Sequence, residues 1–280
     1  GTLEANSLVS KGGKIVLEGD EITLSTNSKI DASGATGGGT VLVGGEWQGG
    51  GELRQATKVT MEAGSRIDAN AINQGDGGQV VLWSDVKNEN AQTVVVGVIS
   101  AHEGAQGGQG GHIETSGHHL ELKGQVQAGN QGHWLIDPID LTVDAATANA
   151  INSALEADTA VSVQAGTTAT CTVSCTNTVA GGGNLYVNAP LTWTTNASLT
   201  LSASNNIYIA APITATGTTA SLNLFYGGST ASTAPTAGTY YRLDMTNPGS
   251  NYISMTGSGA QLKIGNQSYT LLQSIADLQL

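Results

Sequence analysis

Charge and aromatic rings are scarce in this sequence. Charged residues make up 11% of its 280 positions and aromatic residues 4%, with a single phenylalanine. Soluble domains ordinarily carry about 25% charged residues, so a surface woven from ion pairs is excluded. Cations are the scarcer sign: Lys+Arg total 10 against 22 Asp+Glu, a net charge of −12. Lys11, Lys14, Lys29, Arg54, Lys58, Arg66, Lys87 and Lys123 stand singly rather than as a stripe. Nucleic acid and anionic membrane need clustered cations, so neither is an expected partner. No run approaches the roughly 20 apolar residues that span a bilayer, and membrane insertion is not expected. The first residues show no basic-plus-apolar leader pattern, and the expectation is a piece of a longer, processed chain.

Cysteine is almost absent. Cys171 and Cys175 lie in ATCTVSCTN. Their spacing is wrong for a CxxC redox pair, and no second pair completes a zinc site. A small disulfide is expected, contributing about 2 kcal/mol in the chain-entropy model and compatible with an oxidising compartment. Two free thiols are the alternative.

Glycine is abundant, with 39 residues or about twice the ordinary share. Low complexity raises the possibility of disorder, but the aliphatic residues here are β-branched and regularly spaced. Four phrases repeat: GGKIVLEG (12–19), GGTVLVGG (38–45), GGQVVLWS (77–84) and GGHIETSG (110–117). A second phrase, aliphatic-x-Ala, alternates with them at Ile30–Ala32, Ile67–Ala69, Ile99–Ala101 and Val126–Ala128. Between them run pairs and triplets of alternating apolar residues: Ile22 and Leu24, Val59 and Met61, Val94, Val96 and Val98, Leu120 and Leu122. Such period-2 runs punctuated by glycine predict short strands with tight turns. Recurrence of the set every 20 to 40 residues predicts stacked units, each burying its apolar face on the next. The expected fold is all-β, a parallel β-helix whose glycines turn corners at positive φ. A β-sandwich is second choice.

Four segments follow. Residues 1–140 are Gly-rich coils with loop insertions, among them EWQGGGELRQAT (46–57) and SDVKNENAQ (84–92). Residues 141–160 form a junction, where Asp144 suits an N-cap and Ala148, Ile151 and Leu155 share one face of a helix over 145–157. Residues 161–270 are Thr/Asn-rich coils in which Asn-aliphatic-Tyr-aliphatic-x-Ala-Pro recurs at 184–190 and 206–212. Residues 271–280, with Leu272, Ile275 and Leu278 at helical spacing, are expected to begin a second helical insertion.

Taken together as an ordered set, GGTVLVGG with its insertion, SRIDANAINQGDGGQVVLWSD, GGHIETSG and above all GHWLIDPIDLTV resemble large exoproteins of the filamentous haemagglutinin class, exported by two-partner secretion. The resemblance covers nearly the whole chain. It implies a right-handed β-helix, secreted or displayed on a bacterial surface. Its implied roles are adhesion and biofilm formation, with an outer-membrane transporter as partner during secretion. The secretion domain typical of the class has no counterpart here.

No catalytic constellation stands out. Asp31 and Asp68 occupy equivalent places in two copies of one phrase, but Ser100 and Gln127 replace them later, which favours turn chemistry over catalysis. His102, His112, His118, His119 and His133 lack ligand spacing, and adjacent His118 and His119 are expected on opposite strand faces. Neither metal nor cofactor is expected, and the chain is not expected to be an enzyme. The expected function is the structural shaft of an adhesin. The alternative is a module binding a host receptor, glycan or matrix component through Trp47, Trp193, Tyr240, Tyr241 and Tyr252. A polysaccharide-processing enzyme is a more distant third. Trp83 and Trp134 are expected in the core.

Overall fold

The computed structural model describes residues 1–166, 182–243 and 252–272. It is an all-β architecture of parallel sheets with one α-helix among the described residues. A long sheet of ten strands runs its length: Lys14–Leu17, Thr40–Val43, Gln79–Trp83, His112–Gly117, His133–Pro138, Ala160–Ala165, Ser198–Ala203, Ser221–Phe225, Gln261–Ile264 and Gln267–Tyr269. Every pairing in it is parallel except the last, where Gln267–Tyr269 folds back antiparallel.

In the first half the chain passes from the long sheet to a four-stranded side sheet (Glu21–Leu24, Lys58–Met61, Gln92–Val95, His119–Leu122). It then reaches a five-stranded corner sheet (Thr2–Glu4, Lys29–Asp31, Arg66–Asp68, Val98–Ser100, Gln125–Gln127) and returns. In the second half the corresponding places are taken by a four-stranded tyrosine sheet (Leu141–Val143, Leu185–Val187, Ile207–Ile209, Tyr241–Leu243) and a three-stranded sheet (Leu191–Trp193, Ile213–Ala215, Ile253–Met255).

The register explains the repeated phrases. Equivalent aliphatics stack in columns: Val41, Val80, Ile113, Trp134, Val161, Leu199 and Leu222 form one. Ile30, Ile67, Ile99 and Val126 form another. All of these side chains are buried. Each fully buried aliphatic contributes about 1.5–3 kcal/mol, so stacking rather than any single unit supports the fold.

The glycine pairs do something other than turn corners. Gly38, Gly39, Gly77, Gly78, Gly110 and Gly111 do not have positive φ. They lie in columns so close that a Cβ on Gly39, Gly78 or Gly111 would overlap the carbonyl oxygen of Gly13, Gly39 or Gly78 below it. Each also donates its N–H to the alanine ending the preceding phrase: Gly39 to Ala32 (2.8 Å), Gly78 to Ala69 (2.7 Å), Gly111 to Ala101 (2.8 Å). Close backbone approach therefore selects glycine here. Positive φ operates elsewhere, as at Gly44 (+77°), where the chain leaves its strand for the 46–57 insertion.

Two further expectations are revised. In Gln92–Val95 the inward residues are Thr93 and Val95, not Val94, Val96 and Val98. Pairing with Val59 and Met61 sets this register, and the buried Thr93 hydroxyl is satisfied by Ser84 Oγ (2.9 Å) and the Ser116 carbonyl (2.8 Å). His118 and His119 do not diverge; their rings lie 4.8 Å apart. His118 precedes the strand His119–Leu122, so strand alternation does not apply between them. Both bond the 84–91 loop, through the carbonyls of Val86 (3.0 Å) and Glu89 (2.9 Å).

The helix Ala145–Glu156 starts at Asp144, whose carboxylate accepts the Thr147 N–H (2.8 Å). Its buried face includes Ala148, Ile151 and Leu155. It packs between the end of the corner sheet and the start of the three-stranded sheet, where a strand would otherwise stand. A helix about 10 Å across spans about two strand spacings of 4.8 Å. Its side chains replace the missing strand's hydrogen bonds. Asn152 donates to the Pro190 carbonyl (3.2 Å) and accepts the Thr192 N–H (2.9 Å), and Glu156 accepts the Thr194 N–H (2.9 Å). On the opposite side Thr159 Oγ1 accepts the Ala128 N–H (3.0 Å). From residue 273 onward the second expected helix lies outside the described residues, as do Cys171 and Cys175.

Candidate functional surface

The five aromatics singled out from the sequence do not converge. Trp193 is 1% exposed, with its indole N–H donated to the Ala197 carbonyl (3.0 Å), so it is a core residue and not a ligand contact. Its strand alternates inward and outward, and Leu191 and Trp193 take the inward places. Trp134 is fully buried and donates to Thr115 Oγ1 (3.0 Å). Tyr240 and Tyr252 are exposed, and Tyr241 is half-buried against the Tyr226 ring.

Tyr240 ends a stack whose other members were not singled out. Tyr186 and Tyr208 stand in register on the outer face of the tyrosine sheet, their rings 4.8 Å apart and within 4° of parallel. Tyr240 closes edge-on against Tyr208 at 5.6 Å, with the two hydroxyls 2.9 Å apart. A sugar stacks on an open aromatic face. Here Tyr186 and Tyr208 cover each other's faces, and the stack is spent on joining neighbouring strands. The repeat that carries both tyrosines, NLYV and NIYI at a 22-residue interval, was the available signal.

Titratable groups gather instead on the outer face of the long sheet, beneath the 46–57 insertion. Leu42, Val81 and Trp83 form a small second cluster there, covered by Trp47, Leu53 and Val86. Trp83 donates its indole N–H to Gln55 Oε1 (3.0 Å) and so ties down the insertion. Glu114 continues the column of Leu42 and Val81 and is 0% exposed. Its carboxylate accepts the Gln48 N–H (2.8 Å) and the Ser116 hydroxyl (2.9 Å). Gln48 holds a left-handed φ of +52° in the tight turn that reaches it. Burial pushes the Glu114 carboxyl up to about 7 despite both hydrogen bonds. Asp137, paired in register with Ser116, is pushed well above the ordinary carboxylate range by burial and by the charge of Glu114.

His133 lies beside His112 on the next column, rings 6.5 Å apart, with Trp47 edge-on to His112 at 6.2 Å. Burial, and then the neighbouring His112, lower His133 to about 4, and its Nε2 bonds Ser162 Oγ (2.8 Å). Among the described residues, no group of three or more His, Cys, Asp or Glu side chains is placed to hold a metal ion. The arrangement can hold protons on buried carboxyls. It offers no open face on which Glu114 could meet a substrate.

Asp31 and Asp68 do stack, each bound by its own cation two residues earlier. Asp31 also accepts the Ser33 N–H (3.0 Å), and despite burial, which raises its carboxyl, the Ser33 and Lys29 hydrogen bonds hold it below the usual range. Asp68 pairs with Arg66 Nε at 2.7 Å.

No family model matches the chain, and a search of curated proteins finds no match.

Proposed function

We infer that the chain is the shaft of a secreted or surface-displayed bacterial adhesin, built as a right-handed parallel β-helix. The observation that carries this reading is the long sheet, whose in-register apolar columns run unbroken across nine parallel strands. At about 4.8 Å per strand, nine strands give a stiff element about 40 Å long. The two sites of greatest chemical interest are both turned to holding the stack together: the tyrosines cover one another, and Glu114 anchors a loop. A shaft needs reach and cohesion rather than a cleft, and the partners proposed for the whole adhesin are a host receptor, glycan or matrix component and an outer-membrane transporter.

The test is binding of the purified 280-residue chain, shown to be folded, to a glycan panel and to intact host cells. A shaft gives no saturable binding of its own. A saturable signal lost on Tyr252→Ala or Trp47→Ala would replace this reading with that of a binding module. Trp193→Ala is unsuitable for the purpose, because that side chain reports on folding.

A further inference from the structure

The helix ends on a residue that local rules disfavour. Ala145–Glu156 closes in a Schellman motif, with the Thr159 N–H on the Ala154 carbonyl (3.0 Å) and the Asp158 N–H on the Leu155 carbonyl (3.0 Å). Asp158 takes the left-handed position of that motif, at φ +58°, where glycine is the usual residue. Its carboxylate also stands at the negative pole of the helix, where an anion is unfavourable, and the last turn holds no cation. Among the described residues no hydrogen bond or ion pair engages this carboxylate to offset either cost. Glu156 in the last turn is by contrast spent on the Thr194 N–H (2.9 Å) and hydroxyl (2.7 Å).

Asp158 lines a cavity of about 400 Å³, together with residues 130–131, 160 and 196–198. The cavity lies where three consecutive strands of the long sheet begin, His133–Pro138, Ala160–Ala165 and Ser198–Ala203. Gln131 on its wall repeats the anomaly. It is third in the tight turn Gly129–Gly132, closed by the Gly132 N–H on the Gly129 carbonyl (3.0 Å), and its φ is +58°. Among the described residues, Asn27, Gln48, Gln131 and Asp158 are the non-glycines at left-handed φ. Asparagine tolerates that region, and Gln48 reaches Glu114; the other two line this one cavity. Such strain gathers at ligand sites. Gly166 and Gly183 donate to the Pro138 and Ile139 carbonyls (both 3.0 Å) at the other ends of these strands. The six residues of Ala160–Ala165 put about 17 Å between there and the cavity, clear of where residues 167–181 leave and rejoin the described chain.

The lining carries acceptors and no cation. The Asn130 side chain, like Asp158, makes no hydrogen bond among the described residues, while Asn196 Oδ1 takes the Thr219 N–H (2.9 Å). Ala160 and Ala197 add two methyl groups. One carboxylate is too few for a metal ion, and an uncharged sugar gains nothing from the helix's negative pole. A guanidinium fits each feature: it is planar, always charged, and pairs with a carboxylate through two parallel N–H bonds. Its remaining donors suit the Asn130 amide oxygen, and its methylene stem suits the alanines.

We propose that this cavity binds an arginine side chain presented by a partner protein. The guanidinium sits on the Asp158 carboxylate at the end of the helix, and the stem lies over Ala160 and Ala197. Asp158 is thereby kept at a position where glycine would give a more stable fold. The inference is independent of the shaft reading, because a single weak site of this kind leaves a glycan panel and a cell-binding assay silent.

The experiment is an NMR titration of the full labelled chain at low salt with Nα-acetyl-arginine methylamide. The Asp158 backbone amide and the Asn130 side-chain amide are expected to shift saturably, with a Kd of about 1 mM. The citrulline analogue, which has the same shape without the charge, is expected to bind about tenfold more weakly. Asp158→Asn tolerates the left-handed backbone and is expected to lose binding to the same degree. Asp158→Gly is expected to abolish binding while raising Tm by about 2 °C, since it relieves both costs of the aspartate. The proposal is overturned by no saturable shift at about 20 mM probe, by equal binding of the citrulline analogue, or by undiminished binding to Asp158→Asn. A fall in Tm for Asp158→Gly overturns it too, because Asp158 then serves the fold. So does calcium chloride shifting these resonances where the arginine probe does not, which assigns the cavity to a metal ion.

Discussion

Glu114→Gln isolates the energetic consequence of burying a carboxyl under the 46–57 insertion. The substitution keeps the shape, and its amide oxygen still accepts the Gln48 N–H that Glu114 now receives. The folded chain raises this carboxyl from 4.5 to about 7. Because the folded value lies above the unfolded one, the native state holds the proton more tightly. Stability from this group is whole below about pH 4.5, declines as pH rises towards 7, and is flat above. At about 1.4 kcal/mol per pH unit the full loss is about 3 kcal/mol, and about 2 kcal/mol of it falls between pH 5.5 and 8.5. Glutamine cannot ionise and escapes that loss. Asp137 has the same sign: its burial is common to both proteins, and the part of its rise due to the Glu114 charge disappears in the variant, which adds to the gain in the same direction. Urea unfolding of wild type and Glu114→Gln at pH 5.5, 7 and 8.5 provides the assay. The variant is expected to gain on wild type by about 2 kcal/mol across this range. Parallel curves, or a variant that falls behind as pH rises, would refute the claim that Glu114 is buried with its proton held.

The glycine columns give a sharper structural test. Gly78→Ala places a Cβ against the Gly39 backbone and is expected to cost about 4 kcal/mol or more, seen as a large fall in Tm. Gly228→Ala meets open space, and with φ at +67° it costs only about 1 kcal/mol. Asn152→Ala removes two bonds to the edge of Leu191–Trp193 and is expected to cost about 1–2 kcal/mol, with faster amide exchange at Thr192. Trp193→Ala opens a core cavity and is expected to cost about 3–5 kcal/mol by chemical unfolding.

Much of the strand pattern was legible because it depends on a local rule applied repeatedly. Period-2 aliphatics between glycines mark strands, and recurrence marks stacking. The same rule fails where it has too many choices: in QTVVVGVIS every second residue on either face is apolar enough, and the neighbouring strand decides. The role of the glycine pairs was not legible for a related reason. Positive φ is a property of one residue, whereas the overlap of Gly78 with Gly39 belongs to two residues 39 positions apart and exists only once the columns are in register. The helix was readable from its cap and apolar spacing, but not its function of replacing a strand through Asn152 and Glu156, since their partners lie about 40 residues ahead.

The candidate surface was less legible, and the reason is again one of distance. An exposed tryptophan and a buried one look alike in a Thr-rich stretch, and Trp193 was misplaced because its side of the strand is fixed by Leu191 and by the column above. Glu114 did leave a trace. Aligning GGTVLVGG, GGQVVLWS and GGHIETSG puts Glu114 where Leu42 and Val81 stand, a charged residue in an apolar column. Such a substitution has two physical resolutions: the column is exposed at that point, or something covers the carboxyl and bonds it. The insertion that begins at Glu46 is what decides, because it brings the Gln48 N–H across 66 residues of sequence to the carboxylate. A polar residue that breaks an apolar repeat therefore points to the segment that folds over it, and in this chain it links the GGHIETSG phrase to the insertion two phrases earlier.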